Sequence, residues 1–250
     1  MTAQGSIQAG PEKVIPICVA ADKFPYLHSE LKLCHSIKAN KISKFQIYDC
    51  FISVTNNKPD LANNLMEKQY KFILNILNSG PHTLNYIAEH IGTDPAALPI
   101  EALVYKGYVR QISFTPTDLL HVTGQYKKWD EKSSQMVLKL ISEILDMSFD
   151  ETVKLIHETV VKKLVFSCIQ SAADFEKKKC IFSNDPAALY LLEKSFSDDP
   201  SDFLNASFKL EKPIIAVGAP VKAWMPYVAE KLKTNLIIPE HDPTAYLLIH

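Results

Sequence analysis

The spacing of apolar and polar positions changes character along the chain. Over residues 1–60, short apolar runs alternate with turn residues. Lys13–Ala21 (KVIPICVAA) fits a strand or the start of a buried helix, with Pro16 interrupting either. Lys44–Thr55 (KFQIYDCFISVT) is rich in β-branched and aromatic side chains and predicts a strand ending at Asn56-Asn57-Lys58-Pro59. From residue 61 the period becomes helical: Leu65, Tyr70, Ile73, Leu74 and Leu77 share one stripe, closed by Ser79-Gly80-Pro81. Thr83 is placed to cap a short helix carrying Leu84, Ile87, Ala88 and Ile91 that stops at Gly92. A third helix over Pro95–Lys106 presents Leu98, Leu103 and Val104, and Tyr108–Phe114 then alternates as a strand. Three helices and a strand over 61–114 predict a winged-helix-like unit.

A further helix opens at Thr115-Pro116-Thr117-Asp118, and two more cover residues 133–147 and 149–176. The second of these has a capping box, Ser148 with Glu151, and a stripe of Val153, Ile156, Val160, Leu164, Cys168 and Ala172. Asp185-Pro186 starts a helix through Phe196, followed by a polar loop, Ser197–Asp202. The end reads as strand Ile214–Val217, helix Lys222–Lys233, strand Leu236–Ile238 and a last helix from Thr244. Two strands joined by a helix of that length predict a parallel βαβ unit. The fold class expected is α/β with a helix-rich insert, divided at 1–60, 61–114, 115–205 and 206–250.

Composition narrows the function classes. A formal net charge of −1 and a pI of about 6.7 provide no long-range attraction for nucleic acid or an anionic membrane. Over 64–110, Lys68, Lys71, Lys106 and Arg110 balance Glu67, Glu89, Asp94 and Glu101, so the winged-helix-like segment predicts packing or partner docking rather than DNA reading. No apolar run reaches the roughly 18 residues of a membrane span. Met1–Lys13 lacks the basic and apolar regions of a signal peptide, and five scattered cysteines without a CxxC pair suit reduced thiols. A cytoplasmic location is the expectation. The seven glycines (5, 10, 80, 92, 107, 124 and 218) lie too far apart to form a Gly-rich phosphate loop.

Three segments carry candidate chemistry. In Phe114–Gly124 (FTPTDLLHVTG), Thr115 suits an N-cap, Pro116 the first helical position, and Asp118 the far side of a capping box. Capping leaves His121 unexplained: three residues on, it shares a helix face with Asp118, as a hydrogen-bonded acid/imidazole pair or two ligands of a divalent ion would. Ile214–Pro220 feeds a strand into a helix through Gly218-Ala219, which is either an ordinary corner or a place where a flat ring or phosphate rests on backbone amides. Pro239-Glu240-His241-Asp242-Pro243 follows the last strand, at the sheet edge where α/β proteins bind ligands, although Asp242 also suits a helix cap.

Together and in this order, these segments resemble the hydantoinase/5-oxoprolinase family, which includes related subunits of acetone-type carboxylases. Gly10–Pro16 (GPEKVIP) is similar to the family's GP-x-R-V-x-P-L stretch, with Lys13 in place of arginine. Phe114–Gly124 resembles its F-T-P-T-D-x-x-H-V-x-G signature, and Val217–Pro220 with Pro239–His241 its adenosine-side segments. The resemblance implies an actin-like, ribonuclease-H-like ATPase fold that uses ATP and Mg²⁺ to open a cyclic amide or carboxylate a ketone. On this reading residues 1–60 are a strand-rich part of the ATPase core and 206–250 its adenosine side. Gly218, Ala219, Pro220, Glu240 and His241 would lie by the adenosine, and Asp118 and His121 would serve as catalytic or metal-binding candidates. The family's Asp-x-Gly-Gly-Thr and Gly-Gly-Asp-Ser phosphate loops have no counterpart here, and the A-N-A-x-G-A run after the final His is replaced by Asp242–Leu247 (DPTAYL). The expectation is therefore a fragment or split subunit. Its partner would be an amino-terminal half or subunit carrying those loops, with a hydantoinase B-type subunit as a further partner. The alternatives are a non-catalytic regulatory or scaffold protein and a winged-helix regulator.

Overall fold

A computed structural model describes residues 14–35, 48–53, 68–178, 181–197, 203–218 and 220–239. Two compact units emerge: Ala9–Lys154, and Leu155–His250 with Met1–Gln8. The division falls within one long helix.

The first unit is built on a four-stranded mixed sheet. Val14–Pro16 forms β1, and Pro16 at its end allows the chain to turn directly into helix α1 (Ile17–Lys23). Both earlier readings of this segment are therefore realised in succession, with the proline as the hinge rather than an interruption. Helix α2 (Leu27–Cys34) follows, and Cys50–Ser53 forms β2 within the strand expected over Lys44–Thr55; Tyr48 and Asp49 precede it outside the strand. Next come α3 (Lys68–Leu77), β3 (His82–Thr83), α4 (Leu84–Ile91), α5 (Ile100–Tyr105) and β4 (Val109–Ser113). The single helix expected over Pro95–Lys106 is broken. Pro95–Ala97 is a 3₁₀ turn, and Leu98 and Pro99 leave the helical path before α5, because a proline disfavours helical geometry in the residue before it. Helices α6 (Pro116–Val122) and α7 (Glu131–Leu145) complete the unit.

Strand order is β1-β4-β2-β3, with β1 parallel to β4 and the other pairs antiparallel. Strands from residues 1–60 thus share one sheet with strands from 61–114, with β2 lying between β4 and β3. Successive strand residues point to opposite faces. Phe51 and Val109 join Ile73, Leu77, Ile87 and Leu103 on one side, while Cys50 and Ile112 join Ile17, Leu27, Leu31 and Val137 on the other. Helices cover both faces, giving a three-layer α/β/α unit.

Helix α8 (Phe149–Phe175), whose residues from Leu155 onward belong to the second unit, begins at the capping box. Ser148 donates through its backbone N–H and its hydroxyl to Glu151 (2.9 and 2.7 Å). Its most buried apolar positions are Val161, Val165 and Ile169, one residue away from the stripe expected at Val160, Leu164 and Cys168. Apolar side chains occupy both rows, so spacing alone allowed either face to be inward. Asp185 caps α9 (Pro186–Lys194) through the Ala187 and Ala188 N–H groups (2.9 and 3.0 Å). Strands β5 (Ile214–Ile215) and β6 (Leu236–Ile237) pair in parallel around α10 (Val221–Lys231), as a βαβ unit requires. Ala216 is buried, but Ile215, Val217 and Ile237 are exposed, so among the described residues one face of this small sheet is apolar and uncovered. The last helix expected from Thr244 lies outside the described residues. Among the described residues no helix is long and apolar enough to cross a membrane.

Candidate functional site

The Thr115–Gly124 segment places Asp118 and His121 fully inside the first unit. Asp118, in the first turn of α6, accepts five hydrogen bonds. Its Oδ2 takes the Thr115 N–H (2.8 Å), the Thr115 hydroxyl (2.7 Å) and the Ile17 N–H (3.3 Å). Its Oδ1 takes the Cys18 N–H (2.8 Å) and the Ser134 hydroxyl (2.9 Å). Ile17 and Cys18 open α1, so one carboxylate satisfies orphan N–H groups at the starts of two helices, where the helix dipoles also favour an anion. The charge is buried but fully solvated by protein donors, the condition under which burial of an ion is tolerated. Burial, reinforced by the Asp118 charge, pushes the Cys18 thiol well above the ordinary cysteine range, so this cysteine stays a protonated, inert thiol.

His121 faces a different environment. Its Nδ1–H donates to the Thr117 carbonyl (2.8 Å), and Nε2 accepts from the Trp129 N–H (3.2 Å). A backbone N–H can only donate, so Nε2 carries no proton and the Nδ1–H tautomer is set. The ring stacks on Trp129 at 5.7 Å and meets the edge of Tyr126 at 5.2 Å. His121 therefore pins the 125–129 loop against α6.

The two residues share a helix but no hydrogen bond; each has its own set of partners. The acid/imidazole pair expected from their spacing is absent, and every nitrogen and oxygen able to ligate a metal is already engaged by the chain. A divalent ion does not fit between them, and among the described residues no group of three His, Cys, Asp or Glu side chains is arranged to hold one. Sequence reasoning identified the Thr115–Asp118 capping contact but missed Ile17, Cys18 and Ser134 as partners of Asp118. The full burial of Ser133 and Ser134 at the start of α7 is visible only in the structure, and nothing in the sequence marks Ser134 as a partner of Asp118.

The other candidates fall in the second unit. Gly218 sits at the β5–α10 turn with φ of +112°, a region that side-chain-bearing residues rarely adopt. Among the described residues, a Cβ there would meet nothing nearer than Pro220 Cδ at 4.0 Å. Pro220 is exposed at the entry to α10. Ala219, Glu240 and His241 lie outside the described residues.

No protein family, curated protein or solved structure matches the chain.

Proposed function

We propose that the chain is a fragment or split subunit of an ATP-dependent hydantoinase/oxoprolinase-type hydrolase acting on cyclic amides. It would supply part of a nucleotide cleft whose phosphate loops lie on another polypeptide segment. One observation carries this reading furthest: among the described residues, the β5–α10–β6 unit is parallel, turns at Gly218, and leaves Ile215, Val217 and Ile237 uncovered. Parallel sheets are stable when helices cover both faces and when more than two strands are present. A further α/β layer laid on that bare face would complete both the sheet and the cleft. The order of the motifs, and above all the Phe114–Gly124 signature, is the sequence support.

The adenine would lie against the backbone at Gly218, Ala219 and Pro220, with Glu240 and His241 alongside. The absence of a Cβ at Gly218 allows the close approach a flat ring needs. Bound ATP would supply the phosphoryl energy for opening an amide that water attacks too slowly. Asp118 and His121 act by holding α1, α6 and the 125–129 loop in place, and touch neither nucleotide nor metal. Their complete internal engagement also favours a second reading, a regulatory or scaffold protein that keeps the fold without the chemistry.

The test is Mg²⁺-dependent ATP hydrolysis by the chain, alone and mixed with a polypeptide carrying the two Gly-rich loops. Turnover is expected only in the mixture, with photolabelling by an azido-adenine nucleotide at the Gly218 turn. Ile215→Glu and Val217→Glu should abolish complex formation. Robust turnover by the chain alone refutes the incomplete-cleft reading, and nucleotide-independent association with the partner supports the scaffold.

A further inference from the structure

The first unit contains a second polar cluster, separate from Asp118 and His121. Glu30 occupies the buried face of α2, between Leu27, Leu31 and Cys34, where an apolar residue belongs. Its Oε1 accepts the His82 Nδ1–H at 2.6 Å, and its Oε2 accepts the N–H and hydroxyl of Thr83 at 2.8 and 3.1 Å. Across the imidazole, His82 Nε2 lies 3.2 Å from the hydroxyl oxygen of Ser79. Ser79 is exposed, whereas His82 and Glu30 are buried. We propose that Ser79, His82 and Glu30 form a nucleophilic triad that accepts acyl groups from activated esters.

Each role follows from the geometry. The carboxylate fixes the Nδ1–H tautomer and leaves the Nε2 lone pair facing the serine hydroxyl, the arrangement that activates a nucleophile through an adjacent base. Glu30 is itself held by Thr83, so the imidazole is oriented from behind. The turn that presents Ser79 is equally constrained. Gly80 has φ of +143°, and a Cβ there would lie 2.5 Å from the Tyr26 hydroxyl, which donates to the Pro81 carbonyl at 2.7 Å. The Ser79 hydroxyl has two acceptors in reach, the Ile76 carbonyl at 2.8 Å and His82 Nε2. A simple rotation of its O–H takes it from a resting to a reactive direction.

The surroundings define the substrate class. The Ser79 and Gly80 N–H groups donate within the chain, to Ile76 and Leu77 carbonyls at 3.4 Å, so they are not free to form an oxyanion hole. Without that stabilisation, worth about 10²–10³ in rate, the carbonyl must already be activated by its leaving group. Beside the serine, Tyr86 is held between the rings of His82 at 4.2 Å and His90 at 3.8 Å, so the stack steadies the base. The substrate is therefore an ester with a good leaving group, the class to which aryl esters of small acids belong. Ser79 Oγ attacks the carbonyl carbon and its proton passes to His82 Nε2. The C–O bond to the aryl group breaks, and the proton leaves with the phenol. Water then attacks the acyl-serine through the same base, releasing the carboxylic acid and restoring the hydroxyl.

The test uses the full chain with p-nitrophenyl acetate, following nitrophenol release and mapping the acetyl adduct by mass spectrometry. We expect a burst with acetylation at Ser79, lost in Ser79→Ala, an exposed position whose replacement leaves the fold intact. His82→Gln should slow acylation roughly 10²-fold, the usual contribution of a general base. The wild-type rate should titrate along a single base, and in Glu30→Gln the midpoint should fall as the rate drops. A purely structural cluster would not move a pH midpoint. Acetylation elsewhere, a burst that survives in Ser79→Ala, or a folded His82→Gln with the wild-type rate overturns the proposal. If the buried variants do not fold, as judged by circular dichroism, the wild-type pH profile and Ser79→Ala decide the question.

Discussion

Replacing Asp118 by alanine removes the acceptor of five hydrogen bonds inside the first unit. The Thr115 and Ser134 hydroxyls can rotate toward other acceptors, but the N–H groups of Ile17, Cys18 and Thr115 cannot. Each buried donor left without a partner costs about 1–3 kcal/mol. With the Ile17 contact at 3.3 Å taken as the weakest, the expected loss is about 4–6 kcal/mol, and helix-cap loss is already contained in that figure. This is a large share of the roughly 5–15 kcal/mol that stabilises a typical domain. Asp118→Asn keeps the shape and one acceptor but turns N–H groups toward donors, so about half of the loss is expected. The assay is urea unfolding followed by Trp129 fluorescence in a Trp224→Phe background. These are the chain's two tryptophans, and Trp129 packs on His121 beside Asp118. An Asp118→Ala chain whose stability lies within about 1 kcal/mol of the parent refutes the argument, because no arrangement of three buried orphan N–H groups is that cheap. An Asp118→Ala chain of native stability that abolishes activity in a reconstituted ATPase would instead restore the catalytic reading.

Burial works against the Asp130 carboxylate, but hydrogen bonds from His28 and Ser133 outweigh it and hold its pKa below 3.8. The stability it contributes is present above pH 3.8 and lost as pH falls below it, so Asp130→Ala should flatten acid unfolding in that range. His157 lies against Trp224 and Tyr227, and burial lowers its pKa from 6.5. The second unit should lose stability as pH falls through 6.5, and His157→Phe should remove that dependence when Trp224 fluorescence is followed. Gly80→Ala forces a side chain into a positive-φ position and displaces the Tyr26–Pro81 hydrogen bond. The expected loss is about 2–3 kcal/mol of first-unit stability by urea titration, and a neutral result would show that the turn can relax.

Local signals in the sequence were reliable where the chemistry that fixes them is local. Thr83 caps α4 through the Tyr86 N–H, Gly92 ends it with a left-handed residue, and Ser148 pairs with Glu151, each readable from residues a few positions apart. Apolar stripes located α3 and α4 correctly but gave the wrong row on α8, because a helix apolar on adjacent rows has no single solution. Pairing across the sheet was not legible. Val14–Pro16 meets Gln111–Ser113, and nothing in either trio names the other. The same distance explains the misreading of Asp118 and His121, which were judged by their shared helix face although their decisive partners lie on α1, on α7 and in the 125–129 loop. Glu30 was the missed clue. A glutamate in the apolar row of α2 calls for a buried partner, and it has one 52 residues away in His82.

The Asp118 carboxylate also has a place in time. Its bonds to Ile17 and Cys18 join residues 101 and 100 positions apart, so the contact can form only after a long loop has closed and both helix starts are in position. We expect this contact to form late, on the native side of the folding barrier. Asp118 should therefore have little influence on how fast the first unit folds and a large one on how long it stays folded. Variants at this position should show nearly unchanged refolding rates, with the whole deficit appearing as faster unfolding. The residue would then act as a latch, setting the lifetime of the folded unit rather than the route by which it forms.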